Sequence, residues 1–273
     1  MKTILVPTDF SEAAVNATEY AINLASEIDA RVLLLYVYNI PLMPYTDVPV
    51  VYPMPQELHQ DAERLLKKQV EDFNKKKSGV EIDFKAVLGL PVSEIEEEAK
   101  DAEFIVMGMR GAGRLSELLI GSVTTAVIKT VSTPVFVIPE HVAYKRPLKI
   151  VLATDYSLKT DSETFDPLKR VIKLFNSKVF IVNIRTEREA LIESVVAEDR
   201  VESTFADVDH LYYFPENEDL VEGINKFIDN KQADLLAIIP HSYNWIEGLF
   251  HRRSSKKIAF HTNVPLLALP DKR

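Results

Sequence analysis

The chain has 273 residues, of which 47% are hydrophobic and 27% charged, with a formal net charge of −9 and no cysteine. This composition is typical of a globular protein with a full core, and the length favours two domains. The lack of cysteine excludes disulfides, thiol catalysis and cysteine-ligated metals, and the negative charge argues against a nucleic-acid partner. No run reaches the roughly 18 to 20 apolar residues of a membrane span, so we expect a cytoplasmic protein without a membrane partner.

The chain contains an internal repeat. The β-prone run 4–6 leads into Pro7-Thr8-Asp9-Phe10-Ser11, and 146 positions later the run 150–152 leads into Ala153-Thr154-Asp155-Tyr156-Ser157. A second β-prone run follows in each half, at 32–37 and 179–184, and each half closes on a similar apolar run, at 133–139 and 264–270. The repeat therefore predicts two tandem domains, at 1–140 and 147–273.

Within each half, short apolar strands alternate with helical patterns. This alternation is typical of an α/β fold, with a parallel sheet covered by helices on both faces. Ligands of such sheets bind beyond the carboxyl ends of the strands, where the strand order reverses. If the order is 3-2-1-4-5, Asp9 and Gly108 follow neighbouring strands, and their two segments meet at one site.

A glycine pattern in the first half indicates phosphate binding. Gly108-Met109-Arg110-Gly111 follows the apolar run 104–107 and precedes, after nine residues, Gly121-Ser122-Val123-Thr124. We expect the first two glycines where a strand ends, and a helix over 123–131 with Ser122 as its N-cap. Glycines allow close approach to a ligand, and amides at a helix N-terminus attract anions. Each glycine alone could equally be structural, and Asp9 could be a turn or cap residue.

The second half lacks this pattern. Aligned from the closing proline, Gly108 corresponds to Ile239, Gly111 to Ser242, Gly121 to Arg252 and Ser122 to Arg253. An arginine where bare backbone is needed would block the same ligand pose, although it could hold a different anion. We therefore expect Asp155 to be a structural turn residue.

Three further segments carry weaker predictions. The proline-rich stretch 41–55 has no counterpart in the second half and reads as a lid, an interaction surface or simple packing. The histidines 241, 251 and 261 are ten residues apart, which is not one helical face, so we expect surface residues and no metal site. The acidic run 94–98 predicts a helix beginning after Pro91 with Ser93 as its cap.

Taken together, Val6-Pro7-Thr8-Asp9-Phe10-Ser11, the glycine pattern and the closing Thr133-Pro134-Val135 resemble the universal stress protein family. The resemblance covers nearly the whole chain as a tandem of two domains, and the first half matches the ATP-binding branch. It implies Rossmann-like domains of the adenine nucleotide alpha hydrolase type, each a five-stranded parallel sheet of order 3-2-1-4-5, paired through their last strands.

The resemblance also implies roles for individual residues. Pro7, Thr8 and Asp9 would line the adenosine pocket, with the Asp9 carboxylate accepting hydrogen bonds from the ribose, and Val37 or Tyr38 would hold the adenine through backbone contacts. The remaining positions would form the loops over the ribose and phosphates: Met107, Gly108, Arg110, Gly111, Gly121, Ser122, Val123 and Thr124.

These predictions favour a stress-response regulator whose first domain binds ATP, or ADP or AMP, together with Mg²⁺, while the second completes a pseudo-dimer. We expect a homodimer of tandem chains and a regulatory protein partner. No catalytic residue can be named, because no nucleophile elbow, Walker A lysine or base is present. Two alternatives stay open: a non-binding interaction scaffold, and an ATP-dependent enzyme of the same sheet class with slow hydrolysis.

Overall fold

The computed structural model describes residues 1–40, 54–76, 79–109, 122–154, 162–184, 204–240 and 263–270. The strands are β1 Lys2–Pro7, β2 Ala30–Tyr38, β3 Ile82–Leu88, β4 Phe104–Met109, β5 Val135–Pro139, β6 Lys149–Ala153, β7 Lys178–Val182, β8 His210–Tyr213, β9 Leu235–Ile238 and β10 Leu266–Ala268. The helices are α1 Glu12–Ile28, α2 Pro55–Lys76, α3 Pro91–Glu98, α4 Ser122–Thr130, α5 Asp166–Phe175 and α6 Leu220–Lys231, with a 3₁₀ turn at Ser162–Phe165 before α5.

All ten strands form one sheet, in the order β3-β2-β1-β4-β5-β10-β9-β6-β7-β8. Every pair within a half is parallel, and each half has the order 3-2-1-4-5. The prediction of two tandem Rossmann-like domains is therefore confirmed, while the boundaries 1–140 and 147–273 stay a prediction. In the first half, β1 and β4 are neighbours, with Ile4 beside Phe104 and Leu5 beside Ile105.

Helices cover both faces of the sheet. One layer of core residues joins α1, α2 and α5 to alternate residues of the strands, such as Ile4 and Val6 of β1. The other layer joins α3, α4 and α6 to the intervening residues, such as Leu5. Because side chains alternate across a strand, a strand buried on both faces is apolar at nearly every position.

The two halves join through their last strands, as the resemblance implied. β5 and β10 pair antiparallel, and Phe136 lies opposite Leu267 at the centre of the pair. These two residues are counterparts in the repeat, because Leu267 follows Phe136 by 131 positions, the same separation as between the closing prolines Pro139 and Pro270. The halves are consequently related by a local two-fold axis that passes through this pair.

The structure corrects three local predictions. β4 continues to Met109, so Met107 and Gly108 lie in the strand, where Gly108 pairs with Ile138, and do not begin a loop. α3 starts at Pro91, since proline suits the first helical position. Ser93 therefore lies within the helix and is not its cap. The N-cap residue is Leu90, which makes no side-chain cap hydrogen bond. α4 begins at Ser122 and ends at Thr130, one residue earlier at each end than predicted.

In the part of the chain that the structure describes, no helix has both the length and the apolar character needed to cross a bilayer.

Candidate functional site

The carboxyl end of β1 is fixed by a compact set of hydrogen bonds. The backbone N–H of Thr8 donates to the Leu35 carbonyl of β2 at 2.9 Å, and the buried Thr8 hydroxyl accepts from the Phe10 N–H at 3.1 Å. The Asp9 carboxylate oxygen Oδ1 accepts from the Ser11 N–H at 3.0 Å and from the Ser11 hydroxyl. Asp9 thus has a turn role, and its ribose contact stays a prediction.

Phe10 has a strained backbone at this same edge. Its φ is 61°, in the left-handed region that a bulky side chain rarely adopts. The other described non-glycine residues with positive φ end helices α1, α5 and α6. The Phe10 ring packs edge-on against Tyr36 at 4.7 Å between centroids, which holds the strained residue in place. Strain of this kind concentrates at functional sites.

Ser11 turns the chain from this edge into α1. It is the N-cap, and its hydroxyl oxygen accepts from the Ala14 N–H at 3.3 Å. The first turn of α1 then passes directly over β4. A Cβ added to Gly108 would lie 2.4 Å from the Ala13 carbonyl oxygen and 2.5 Å from its carbon. Gly108 is therefore required by helix packing, whatever else it contacts.

α4 supplies the helix N-terminus predicted to bind phosphate. Ser122 is its first residue and is exposed, Val123 is half-buried, and Thr124 is buried. Thr125, Val127 and Ile128 complete the buried face that anchors the nine-residue helix behind β4. The first amides of such a helix have no partners within it and carry a partial positive charge.

A cavity of about 250 Å³ opens at the carboxyl ends of β2 and β3. Val37 and Tyr38, the residues predicted to hold the base, both line it. The Tyr38 hydroxyl is hydrogen bonded to His59 Nδ1 of α2 at 2.9 Å. The other lining residues are Tyr36 and Asn39 at the end of β2, Leu58, Asp61, Ala62 and Leu65 of α2, Gly89 after β3, and Pro91, the first residue of α3.

The sequence reasoning missed the contribution of α2 to this cavity. Leu58, Ala62 and Leu65 have helical spacing, which signals an apolar face but not what the face encloses. Several other sequence predictions lie outside the described residues: Arg110, Gly111, Gly121, Asp155, Ser242, Arg252, Arg253, the three histidines 241, 251 and 261, and the segment 41–53.

The second half keeps the hydrogen bond at the end of its first strand but has no glycine at the position of Gly108. The Thr154 N–H donates to the Val182 carbonyl at 3.0 Å, as Thr8 does to Leu35. Ile239, the counterpart of Gly108, is 3% exposed and packs in the core. Among the residues described in either half, no group of three or more His, Asp or Glu side chains could hold a metal ion.

Comparison with known proteins identifies relatives of this architecture. The model of the universal stress protein family matches residues 1–139. One universal stress protein of Methanocaldococcus jannaschii is 36% identical over 145 residues, which span 50% of this chain and 81% of that protein. Another from the same organism is 32% identical over 152 residues, spanning 50% of this chain and 94% of its own. The crystal structure of a universal stress protein from Archaeoglobus fulgidus superposes with a TM-score of 0.72 over 98% of both chains, at 18% identity.

Proposed function

Because the chain belongs to the universal stress protein family, we propose that its first half binds ATP, ADP or AMP and that its second half is a structural partner. The main support is that three features share one edge of the sheet. Thr8 and Asp9 directly follow β1, the cavity with Val37 lies at the end of β2, and α4 follows the neighbouring β4. Ligands of doubly wound sheets bind at this edge.

Each feature suits one part of a nucleotide. The apolar cavity suits the base, which Val37 or Tyr38 would contact through the backbone. The Asp9 carboxylate can accept hydrogen bonds from ribose hydroxyls, with Pro7 and Thr8 beside it. The amides of Ser122, Val123 and Thr124 begin α4 and suit the phosphates. Met107 and Gly108 lie between these groups on β4, and Arg110, Gly111 and Gly121 follow in the sequence.

Mg²⁺ would accompany ATP in this proposal. The ion usually keeps several waters and binds through phosphates and one or two carboxylates, so it does not require a cluster of protein ligands. The metal would supply charge neutralisation on the phosphates.

The proposal is asymmetric. In the second half, Ile239 fills the position of Gly108, and Arg252 and Arg253 replace Gly121 and Ser122. We propose that this half stabilises the first through the shared sheet and binds no ATP in the same pose. The chain would act in the cytoplasm as a regulator, through a homodimer of tandem chains and a regulatory protein partner.

Calorimetric titration with Mg-ATP tests the proposal. We expect about one site per chain, and we expect Gly121→Arg, which copies Arg252 of the second half, to abolish binding because a bulky side chain would occupy the phosphate approach. Arg252→Gly is the matched control and should retain one site, since the other differences of the second half remain. Unchanged ATP binding in Gly121→Arg would contradict the proposed site. Two ATP sites in the unmodified chain would contradict the asymmetry between the halves. No ATP binding to the unmodified chain would favour a non-binding interaction scaffold.

A further inference from the structure

Among the described residues, one carboxylate lies in the wall of the cavity at the ends of β2 and β3. Most of its lining is apolar or aromatic, contributed by Val37, Leu58, Ala62 and Leu65 among others. Asp61 lines the same space from α2. Apolar pockets with a few placed polar groups are typical of small-molecule sites, and in such pockets the polar groups determine specificity.

Helix geometry holds Asp61 on the cavity side of α2. Leu58 and Leu65 lie three residues before and four residues after it, so the three side chains share one face of the helix. Arg64 pairs with Asp61 Oδ1 at 2.8 Å at the exposed rim. The two side chains are 76% and 63% exposed, so the pair holds the carboxylate only weakly. It also occupies only part of the carboxylate's capacity, because a carboxylate has two oxygens and about four acceptor positions.

We propose that Asp61 makes this cavity select a base with an exocyclic amino group, adenine over hypoxanthine, and this inference rests on the proposed nucleotide function. The adenine 6-amino group donates a hydrogen bond that a carboxylate can accept. Hypoxanthine carries an oxo group at the same atom, and two acceptors facing each other repel and stay unpaired. The two bases otherwise have nearly the same shape, so the apolar walls do not distinguish them.

In the second half, the residue that corresponds to Val37 packs against a helix. Ile184 follows β7 as Val37 ends the run of β2, and its Cγ2 atom lies 2.9 Å from the position a Cβ on Gly223 of α6 would take. The backbone of α6 therefore sits directly on this side chain. Most of the stretch of the second half that corresponds to α2 lies outside the described residues, and the base selection is proposed for the first half alone.

The test compares ATP with ITP by calorimetry on the full chain. We expect ATP to bind about 3- to 10-fold more tightly than ITP, the range for one hydrogen bond to a partly exposed charged group. In Asp61→Asn the ratio should fall to about twofold or less, because an amide can both donate and accept. Asp72→Asn is the matched control: Asp72 pairs with Lys75 on the same helix with the same spacing, away from the cavity.

The outcomes separate the two proposals. The inference is supported if the ratio of ATP affinity to ITP affinity falls in Asp61→Asn and stays unchanged in Asp72→Asn. Equal binding of ATP and ITP by the unmodified chain, or an unchanged ratio in Asp61→Asn, overturns it while leaving nucleotide binding in place. Absence of ATP binding to the unmodified chain overturns both. Circular dichroism of both variants confirms that they are folded.

Discussion

Gly108 has its identity fixed by the backbone of another element. The first turn of α1 comes so close to β4 that a methyl group would overlap the Ala13 carbonyl, and Ala14 N would lie 3.0 Å away. A helix backbone cannot rotate out of the way as a side chain can. The close packing of α1 on β4 thus depends on the lack of a side chain at Gly108.

We expect Gly108→Ala to lower the free energy of unfolding by about 1 to 3 kcal/mol, as overpacking does in other cores. Gly89→Ala is the matched control. The three atoms nearest to its added Cβ all belong to the Glu94 side chain, which can rotate away. We therefore expect a much smaller change for Gly89→Ala. Urea denaturation of both variants measures the difference, and equal stabilities would contradict the packing role of Gly108.

Single residues show where sequence reasoning ends. The glycine pattern indicated an anion site, but a sequence does not reveal whether a glycine faces a ligand or a neighbouring helix. The positive φ of Phe10 is also invisible in the sequence, because aromatic residues seldom adopt it. The position of Pro7, Thr8 and Asp9 at the carboxyl end of β1 was predictable from the β-prone run before them, while their contact with a ligand stays a prediction.

At the scale of elements, α2 and the end of β2 jointly create the space proposed for the base. β2 was predictable from its continuous apolar run, and its parallel pairing follows from the βαβ pattern. The cavity between β2 and α2 was not, because an apolar helix face packs equally well against a sheet without leaving space. Ala62 is 3% exposed and lines the cavity, and its small side chain leaves space between α2 and the end of β2.

Ala62→Leu tests the role of the cavity. The three added carbon atoms would enter the space proposed for adenine, so we expect ATP affinity to fall about tenfold or more, a loss on the scale of about 1.4 kcal/mol. Calorimetric titration gives the affinity, and urea denaturation reports any accompanying loss of stability. A folded variant that binds ATP as tightly as the unmodified chain would show that the base lies elsewhere.

At the scale of the whole molecule, the segment between the halves is tied down on both sides. The Arg146 guanidinium makes two hydrogen bonds of 2.8 Å to Glu27 of α1, and the Tyr144 ring packs against Tyr20 at 5.0 Å. Burial raises the pKa of Tyr144 to about 12. On the other side, Lys145 forms an ion pair with Asp234 of the second half. Asp234 Oδ2 also accepts from the N–H groups of Leu148 and Lys149 at 3.1 and 2.9 Å. The two halves therefore meet through more than the sheet.

Asp234→Ala should destabilise the chain by about 1 to 3 kcal/mol, because it leaves a backbone N–H at the start of β6 without its acceptor. The Asp234 side chain is only 4% exposed, whereas its ion-pair partner Lys145 is 73% exposed. Lys145→Ala should therefore change stability little, since exposed pairs contribute little. Thermal unfolding of both variants is the measurement. A larger loss of stability in Lys145→Ala than in Asp234→Ala would contradict the conclusion that the buried hydrogen bonds of Asp234 matter more than its exposed ion pair.

The global arrangement was the most predictable part of the protein. The repeated strand-to-turn segments at 4–11 and 150–157 defined two units, and the right-handed crossovers of parallel sheets limit their strand order to a few choices. The register of β5 on β10 was not predictable, because it depends on the distance and angle between the halves, which local patterns do not encode. The contacts of Asp234 were not predictable either, because they join two segments that are distant in the sequence.

The register of β5 on β10 has a historical consequence. Phe136 faces its own repeat counterpart, Leu267, so each half presents to the other the edge that it would present to a copy of itself. An ancestor with half this length could have assembled the same sheet from two separate molecules, since an edge that pairs about a two-fold axis is self-complementary. Gene duplication and fusion would then have made the partner permanent, so that the two copies could diverge elsewhere while the paired edge strands had to be kept.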